Sequence, residues 1–161
     1  MQGRLRVGLD ANVLIAGIRL PRWPYEVMWA AVMGYFDVVL PEQVIVEARR
    51  HLSHPAQTAA LESFLAGSSC EAVVMPPLGM VRQHQDLVRS KKDVPIALAL
   101  LASEVDIFVT NDRDFTDPDA TAERFRQRVR LMLPAAFLRD VLGWFSEALE
   151  AVRHRRWEDL E

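Results

Sequence analysis

The feature that most constrains this fold is the alternation of short apolar runs with longer helical patterns along 161 residues. Each run is continuous, rich in β-branched or aromatic residues, and followed by polar residues or proline, which is typical of strands buried on both faces. Helices between such strands indicate parallel pairing. The sequence therefore predicts an α/β fold with a central, mostly parallel sheet of four or five strands flanked by helices. The predicted strands are Leu5 to Leu9, Phe36 to Leu40, Ala72 to Met75, Ile107 to Thr110 and Val129 to Leu133.

Helical spacing of apolar residues is clearest in five segments. Three amphipathic faces run from Tyr25 to Val32, from Val44 to Leu52 and from Leu61 to Leu65, and Ile96 to Ala102 is apolar all round, as in a buried helix. Pro134 is expected to begin one final helix. We expect a single domain over residues 1–161, with 134–161 as a helical extension whose apolar stripe packs on the domain or on a second copy in a homodimer.

Composition excludes several classes of protein. The one cysteine, Cys70, cannot form an intrachain disulfide or a cysteine-based zinc site. The longest uncharged apolar run, Val94 to Ala102, is far shorter than the roughly 20 residues that span a bilayer. Asp10 and Asn12 interrupt the apolar stretch that would resemble an export signal. We therefore expect a soluble cytoplasmic protein with no membrane association.

Four acidic residues occupy positions that can converge on one sheet edge. Asp10 and Asp112 directly follow the first and fourth predicted strands, and the carboxyl ends of parallel strands share an edge. Asp93 stands at the start of the apolar helix. Glu47 lies three residues after Val44 on an apolar helix face, where an unpaired carboxylate costs several kcal/mol. Taken singly, each aspartate is explained by a helix cap or turn.

Convergence of carboxylates indicates a different role. Clustered carboxylates repel each other and need cations, and Mg²⁺ or Mn²⁺ accepts carboxylate oxygens while leaving positions open for phosphate. Two such ions about 4 Å apart can activate water and stabilise both oxygens of a phosphodiester displacement. The pattern therefore predicts metal-dependent hydrolysis of phosphodiesters. The net charge of −3 does not oppose this, because bound metal would neutralise these acids.

Three blocks of sequence resemble the PIN-domain family, and within it the toxin components of bacterial type II toxin-antitoxin pairs. The first block is Val7 to Ile15, with the Asp10-Ala11-Asn12-Val13-Leu14 turn, in which threonine is more usual at position 11. The second leads from Leu40-Pro41-Glu42 to Glu47. The third extends from Lys92 to Ala97 and from Val109 to Phe115. The resemblance covers Val7 to about Pro134.

This resemblance implies a PIN-like three-layer fold and a divalent-metal-dependent endoribonuclease with an RNA substrate and a cognate antitoxin partner. Its metal ligands and catalytic residues would be Asp10, Glu47, Asp93 and Asp112, and Asp114 would assist a second ion. Asn12 and Thr110 would orient ligands or water.

Other residues are candidates for substrate binding. Lys91 and Lys92 adjoin Asp93, and Arg113 adjoins Asp112, so these cations could contact phosphates. Trp23 and Tyr25 could stack bases or anchor a partner, whereas core packing is expected for Trp29.

Two other functions remain open from sequence. In a phosphoacceptor switch, a strand-end aspartate would take up a phosphoryl group, but Asn12 stands where a second aspartate is expected and no lysine follows Lys92. A non-catalytic PIN-like binding module would carry an incomplete metal site, which the intact acidic set argues against.

Overall fold

The computed structural model describes residues 3–118 and 121–160, and every strand in these ranges belongs to one parallel sheet. The strand order is β3-β2-β1-β4-β5. The predicted α/β class is confirmed, and all five predicted strands form within two residues of their expected ends. The strands are β1 (Arg6–Leu9), β2 (Asp37–Pro41), β3 (Cys70–Val73), β4 (Ile107–Val109) and β5 (Arg130–Met132).

Ten α-helices and two 3-10 helices flank the sheet in the described ranges, and none of the helices there has the length and apolar character needed to cross a bilayer. The 3-10 helices are Lys91–Asp93 and Trp157–Leu160. The α-helices are α1 (Ala11–Arg19), α2 (Trp23–Val32), α3 (Glu42–His51), α4 (Pro55–Gly67), α5 (Leu78–Gln83), α6 (Val94–Ala102), α7 (Arg113–Thr116), α8 (Glu123–Arg128), α9 (Pro134–Asp140) and α10 (Ser146–Val152).

The prediction of one final helix after Pro134 is wrong. Helix α9 ends at Asp140, and Gly143 adopts a φ of +77°, a left-handed conformation that glycine tolerates and a continuing α-helix does not contain. Phe145, which the single-helix pattern placed on the apolar stripe, is 77% exposed between the two helices. Phe137 in α9 and Val152 in α10 are both buried, so the apolar pattern continues across the turn and resembles that of a single helix.

The strand order places β1 beside β4, although these strands are far apart in sequence. From β1 the chain moves outward to β2 and β3, then returns to the other side of β1 for β4 and β5. The crevice at such a reversal is the usual ligand site of an open parallel sheet, because neighbouring connections leave the sheet in opposite directions. Asp10 and Thr110 follow β1 and β4 at this reversal, and the Asp10 amide donates to the Val109 carbonyl at 3.0 Å.

The buried helix α6 lies directly against β1. A Cβ at Gly8 would lie 2.8 Å from Leu100 Cδ2 and 2.9 Å from Phe108 Cδ1, so a larger residue here would force these side chains to shift. Because the 3-10 helix that ends at Asp93 leads directly into α6, the same packing holds Asp93 near the end of β1.

Candidate functional site

The four predicted acids, Asp10, Glu47, Asp93 and Asp112, line one cleft of about 310 Å³ at the carboxyl edge of the sheet. They come from the ends of β1 and β4, from α3, and from the 3-10 helix before α6. Tertiary structure therefore joins residues that are up to about a hundred positions apart. The remaining lining residues are Ala11, Asn12, Gln43, Val46, Arg50 and Lys92.

Asp10 is buried, and both of its carboxylate oxygens accept hydrogen bonds. The Ala11 amide donates to Oδ1 at 2.8 Å, and the Thr110 hydroxyl donates to Oδ2 at 2.6 Å. Burial raises the pKa of Asp10 to about 6, with smaller upward contributions from Asp112 and Glu47, while the bonds from Thr110 and Ala11 oppose the rise. Asp10 therefore caps α1, as its position in the sequence allowed, and it also lines the acidic cleft.

Thr110 connects the two strand ends. Its hydroxyl donates to Asp10 and accepts the backbone amide of Asp112 at 2.9 Å, and its side chain is fully buried. Asn12 makes a similar link, because its side-chain oxygen accepts the Asn111 amide at 3.3 Å. Both predicted supporting residues therefore lie where they can hold the acidic loops together.

Asp112 and Asp114 lie at the start of α7. The Asp112 carboxylate accepts the Asp114 amide at 2.9 Å and so caps the helix. Asp114 pairs with Arg89, with 2.6 Å between Arg89 Nη2 and Asp114 Oδ1. The charge of Asp114 is therefore already balanced by a directly bonded cation.

Asp93 differs from the other aspartates because no cap explains it. It precedes α6 with αR backbone angles and makes no side-chain capping bond to that helix. Its Oδ2 is buried and has no hydrogen-bond partner in the part of the chain that the structure describes. Burial raises the pKa of Asp93 to about 6, Asp112 and Asp10 raise it further, and Lys92 and Ser90 oppose the rise.

The acidic group fits a hard divalent cation. Asp93, Asp112 and Asp114 each offer a carboxylate oxygen, and the three atoms lie within 4.8 Å of one another. These donors are all oxygens, which Mg²⁺ and Mn²⁺ prefer. The unpartnered Asp93 oxygen supports the same fit, since a buried polar atom without a partner costs free energy that a cation would offset.

Glu47 does not lie on the buried face where the sequence placed it. It is half-buried and lines the cleft, whereas Val44 and Ala48 make the buried face of α3. The free-energy cost of burying the Glu47 carboxylate, which made it a candidate from sequence, is therefore smaller than expected. Glu47 lies on the same side of α3 as Gln43 and Arg50, which also line the cleft.

Of the three predicted substrate-binding cations, only Lys92 lines the cleft. Lys91 and Arg113 are exposed and lie outside its lining. Gln43, which was not a candidate, donates through Nε2 to the Lys92 carbonyl at 3.3 Å and connects α3 to the Asp93 segment. Arg50 also lines the cleft, three residues after Glu47 on the same helix.

The aromatic residues of α2 lie outside the acidic cleft and contact the C-terminal segment. Trp23 donates through Nε1 to the Leu149 carbonyl at 2.9 Å, and Tyr25 packs edge-on against Trp157 with ring centroids 5.3 Å apart. The expectation that Trp29 packs in the core is wrong, because its side chain is 51% exposed and stacks on Tyr25.

No family model matches the chain, and no curated protein sequence matches it. Solved structures do match its fold. PAE2754 from Pyrobaculum aerophilum aligns with a TM-score of 0.56 and 18% identity over 87% of this chain and 98% of that chain. VapBC2 from Rickettsia felis, solved bound to a DNA fragment from its promoter, aligns with a TM-score of 0.51 and 17% identity over 80% of this chain and 97% of that chain. At these identities the likeness establishes the fold.

Proposed function

We propose that this chain is a divalent-metal-dependent endoribonuclease that hydrolyses RNA phosphodiester bonds. The observation that carries the proposal is the buried Asp93 oxygen, which has no partner among the described residues and lies in a cleft lined by three further acids. The cleft lies at the reversal of strand order, where open parallel sheets bind ligands, and this position supports the same function.

Asp10, Glu47, Asp93 and Asp112 would hold Mg²⁺ or Mn²⁺, with Asp114 available beside them. When bound, such ions supply Lewis-acid stabilisation of phosphate oxygens and lower the pKa of coordinated water, with two ions sharing these tasks.

The protein's own residues would prepare the site. Thr110 fixes the orientation of Asp10 through its hydrogen bond, and it also fixes the loop that carries Asp112. Asn12 holds the same two loops together. Lys92 supplies a positive charge beside Asp93 for a substrate phosphate.

The RNA substrate and a role as the toxin of a toxin-antitoxin pair are part of this proposal. They rest on the three blocks of sequence resemblance and on the shared fold of VapBC2. An antitoxin that occludes the acidic cleft would be the natural regulator, and a homodimer remains a prediction.

Cleavage of a panel of single-stranded and structured RNAs tests the proposal. Purified wild type is compared with Asp93→Asn in Mn²⁺, in Mg²⁺ and in EDTA. Asp86→Asn is the matched control, because it makes the same chemical change at an exposed residue that pairs with Arg124 outside the cleft. We expect metal-dependent cleavage by wild type and Asp86→Asn, and a loss of at least about 100-fold for Asp93→Asn.

Absence of cleavage and of calorimetric metal binding in folded wild-type protein would reject the nuclease and favour the binding module. Equal cleavage by Asp93→Asn would show that the activity belongs to a contaminant or another site.

A further inference from the structure

Arg50 is a cation of the cleft that forms no pair with its acids. It lies on α3 one turn after Glu47 and two turns after Gln43, and all three line the cleft. Its side chain is exposed and makes no hydrogen bond or ion pair within residues 3–118 and 121–160. A guanidinium beside several carboxylates, yet bonded to none of them, remains available to another anion.

The adjacent Arg49 shows the opposite arrangement. It lies on a different face of α3, lines a separate groove with Ile45 and Leu65, and pairs with Glu62 through Nε at 2.9 Å and Nη2 at 3.2 Å. Arg49 therefore has a structural partner, whereas Arg50 has none among the described residues. Two arginines that differ by one position thus provide a matched pair for experiment.

The chemistry of the cleft favours phosphate as the anion that Arg50 binds. The guanidinium presents donors in a fork that matches two phosphate oxygens, and such charge-assisted bonds are stronger than neutral ones. Lys92 also lines the cleft but offers a single point of charge. A nucleic-acid phosphate would thus meet a directional donor from α3 and a second cation from the segment before α6.

We propose that Arg50 binds a backbone phosphate of single-stranded RNA and positions the strand across the acidic cleft. This inference rests on the proposed nuclease function and adds a substrate-binding residue to it. Arg50 contacts substrate directly, so it should affect binding and KM more than kcat.

The test measures binding of a fluorescein-labelled single-stranded RNA by anisotropy over a range of salt concentrations. Ca²⁺ is present as an oxygen-binding ion, and gels verify that the RNA stays intact. The proteins are wild type, Arg50→Ala, Arg50→Lys and Arg49→Ala, each checked by thermal unfolding. Steady-state cleavage in Mn²⁺ gives KM and kcat for the same four proteins.

Arg50→Ala is expected to weaken binding about tenfold or more and to raise KM with little change in kcat. Loss of one phosphate contact should also reduce the slope of log K against log salt by about 0.7. Arg50→Lys should recover part of the affinity. Arg49→Ala removes the same charge from the neighbouring face and should change affinity by less than about twofold.

Equal losses for Arg49→Ala and Arg50→Ala would overturn the inference, because they would indicate a general charge effect. Unchanged binding and KM in Arg50→Ala, with active wild type, would overturn it while leaving the nuclease proposal intact. Folded wild type that neither binds nor cleaves RNA would reject both.

Discussion

The end of β1 and the start of α6 each bring a buried aspartate to the same cleft, and burial raises the pKa of both Asp10 and Asp93 to about 6. Their contacts differ. Asp10 accepts two hydrogen bonds and caps α1, so the fold uses its carboxylate. Asp93 leaves one buried oxygen without a partner in the part of the chain that the structure describes, and its side chain makes no capping bond to α6. A buried acid with one unsatisfied oxygen is therefore the stronger indication of function.

Asparagine substitutions at these two positions should have the largest effects and should separate their roles. Both Asp10→Asn and Asp93→Asn are expected to weaken Mn²⁺ binding by about 100-fold, because each removes a charged oxygen donor. Calorimetric titration measures this loss, and Asp86→Asn should bind like wild type.

The metal-free stabilities of the same variants should differ. Asp93→Asn is expected to raise the free energy of unfolding at pH 7.5 by roughly 1 to 3 kcal/mol, since it removes an unfavourably buried charge. Asp10→Asn should leave it nearly unchanged, because an amide facing Thr110 leaves the hydroxyl proton without an acceptor and offsets the gain. Urea denaturation measures both free energies of unfolding, and equal increases for Asp10→Asn and Asp93→Asn would contradict the proposed difference.

Metal-free wild-type protein should lose stability as the pH rises from 5 to 7.5. An acid whose pKa is raised by folding holds its proton more tightly in the folded state than in the unfolded state. The stability that this proton binding contributes is fully present below the unfolded pKa of 3.8 and is lost as the pH rises through about 6. Each acid accounts for up to about 3 kcal/mol over its whole titration, of which about 1.4 kcal/mol is lost above pH 5.

Urea denaturation in EDTA across this pH range measures the effect. Asp93→Asn should show a shallower decline than wild type. If the wild-type free energy of unfolding instead increased over this range, folding would not raise the pKa values of Asp10 and Asp93.

Thr110→Val should disturb the Asp10 side of the cleft more than the Asp93 side. The substitution keeps the shape of the side chain but removes the hydroxyl that serves Asp10 and Asp112. We expect a loss of about 1 to 3 kcal/mol in the free energy of unfolding and a further rise in the pKa of Asp10, whose bond to Thr110 lowers it. Thr110→Ser retains the hydroxyl and should stay close to wild type in denaturation and in an NMR titration of the Asp10 carboxyl.

Arg89→Ala should have the smallest effect on stability. The pair between Arg89 and Asp114 is partly exposed, and such pairs contribute less than about 1 kcal/mol. Removing the cation should nevertheless increase Mn²⁺ affinity modestly, because Asp114 becomes free beside Asp93 and Asp112. Calorimetry measures this increase, and an unchanged affinity would indicate that Asp114 takes no part in metal binding.

The strands and the buried helix α6 were predictable because their signals are local. A continuous β-branched run such as Ile107 to Val109 allows few alternatives to a buried strand, and the strand-end position of Asp10 follows from it. The prediction failed where apolar spacing alone was used. Trp29 has core-like spacing but an exposed side chain, and the Phe137 to Val152 stripe crosses the left-handed turn at Gly143.

By itself, the sequence determined the class of fold, the strand ends and the acids that follow them, because hydrophobic periodicity and turn chemistry act over a few neighbouring residues. The tertiary structure decided which of these side chains meet. It placed β4 beside β1, brought α6 against Gly8, and left one Asp93 oxygen without a partner among the described residues. It also directed Arg49 to Glu62 but Arg50 to the cleft. These outcomes depend on packing between distant segments, which no local pattern encodes.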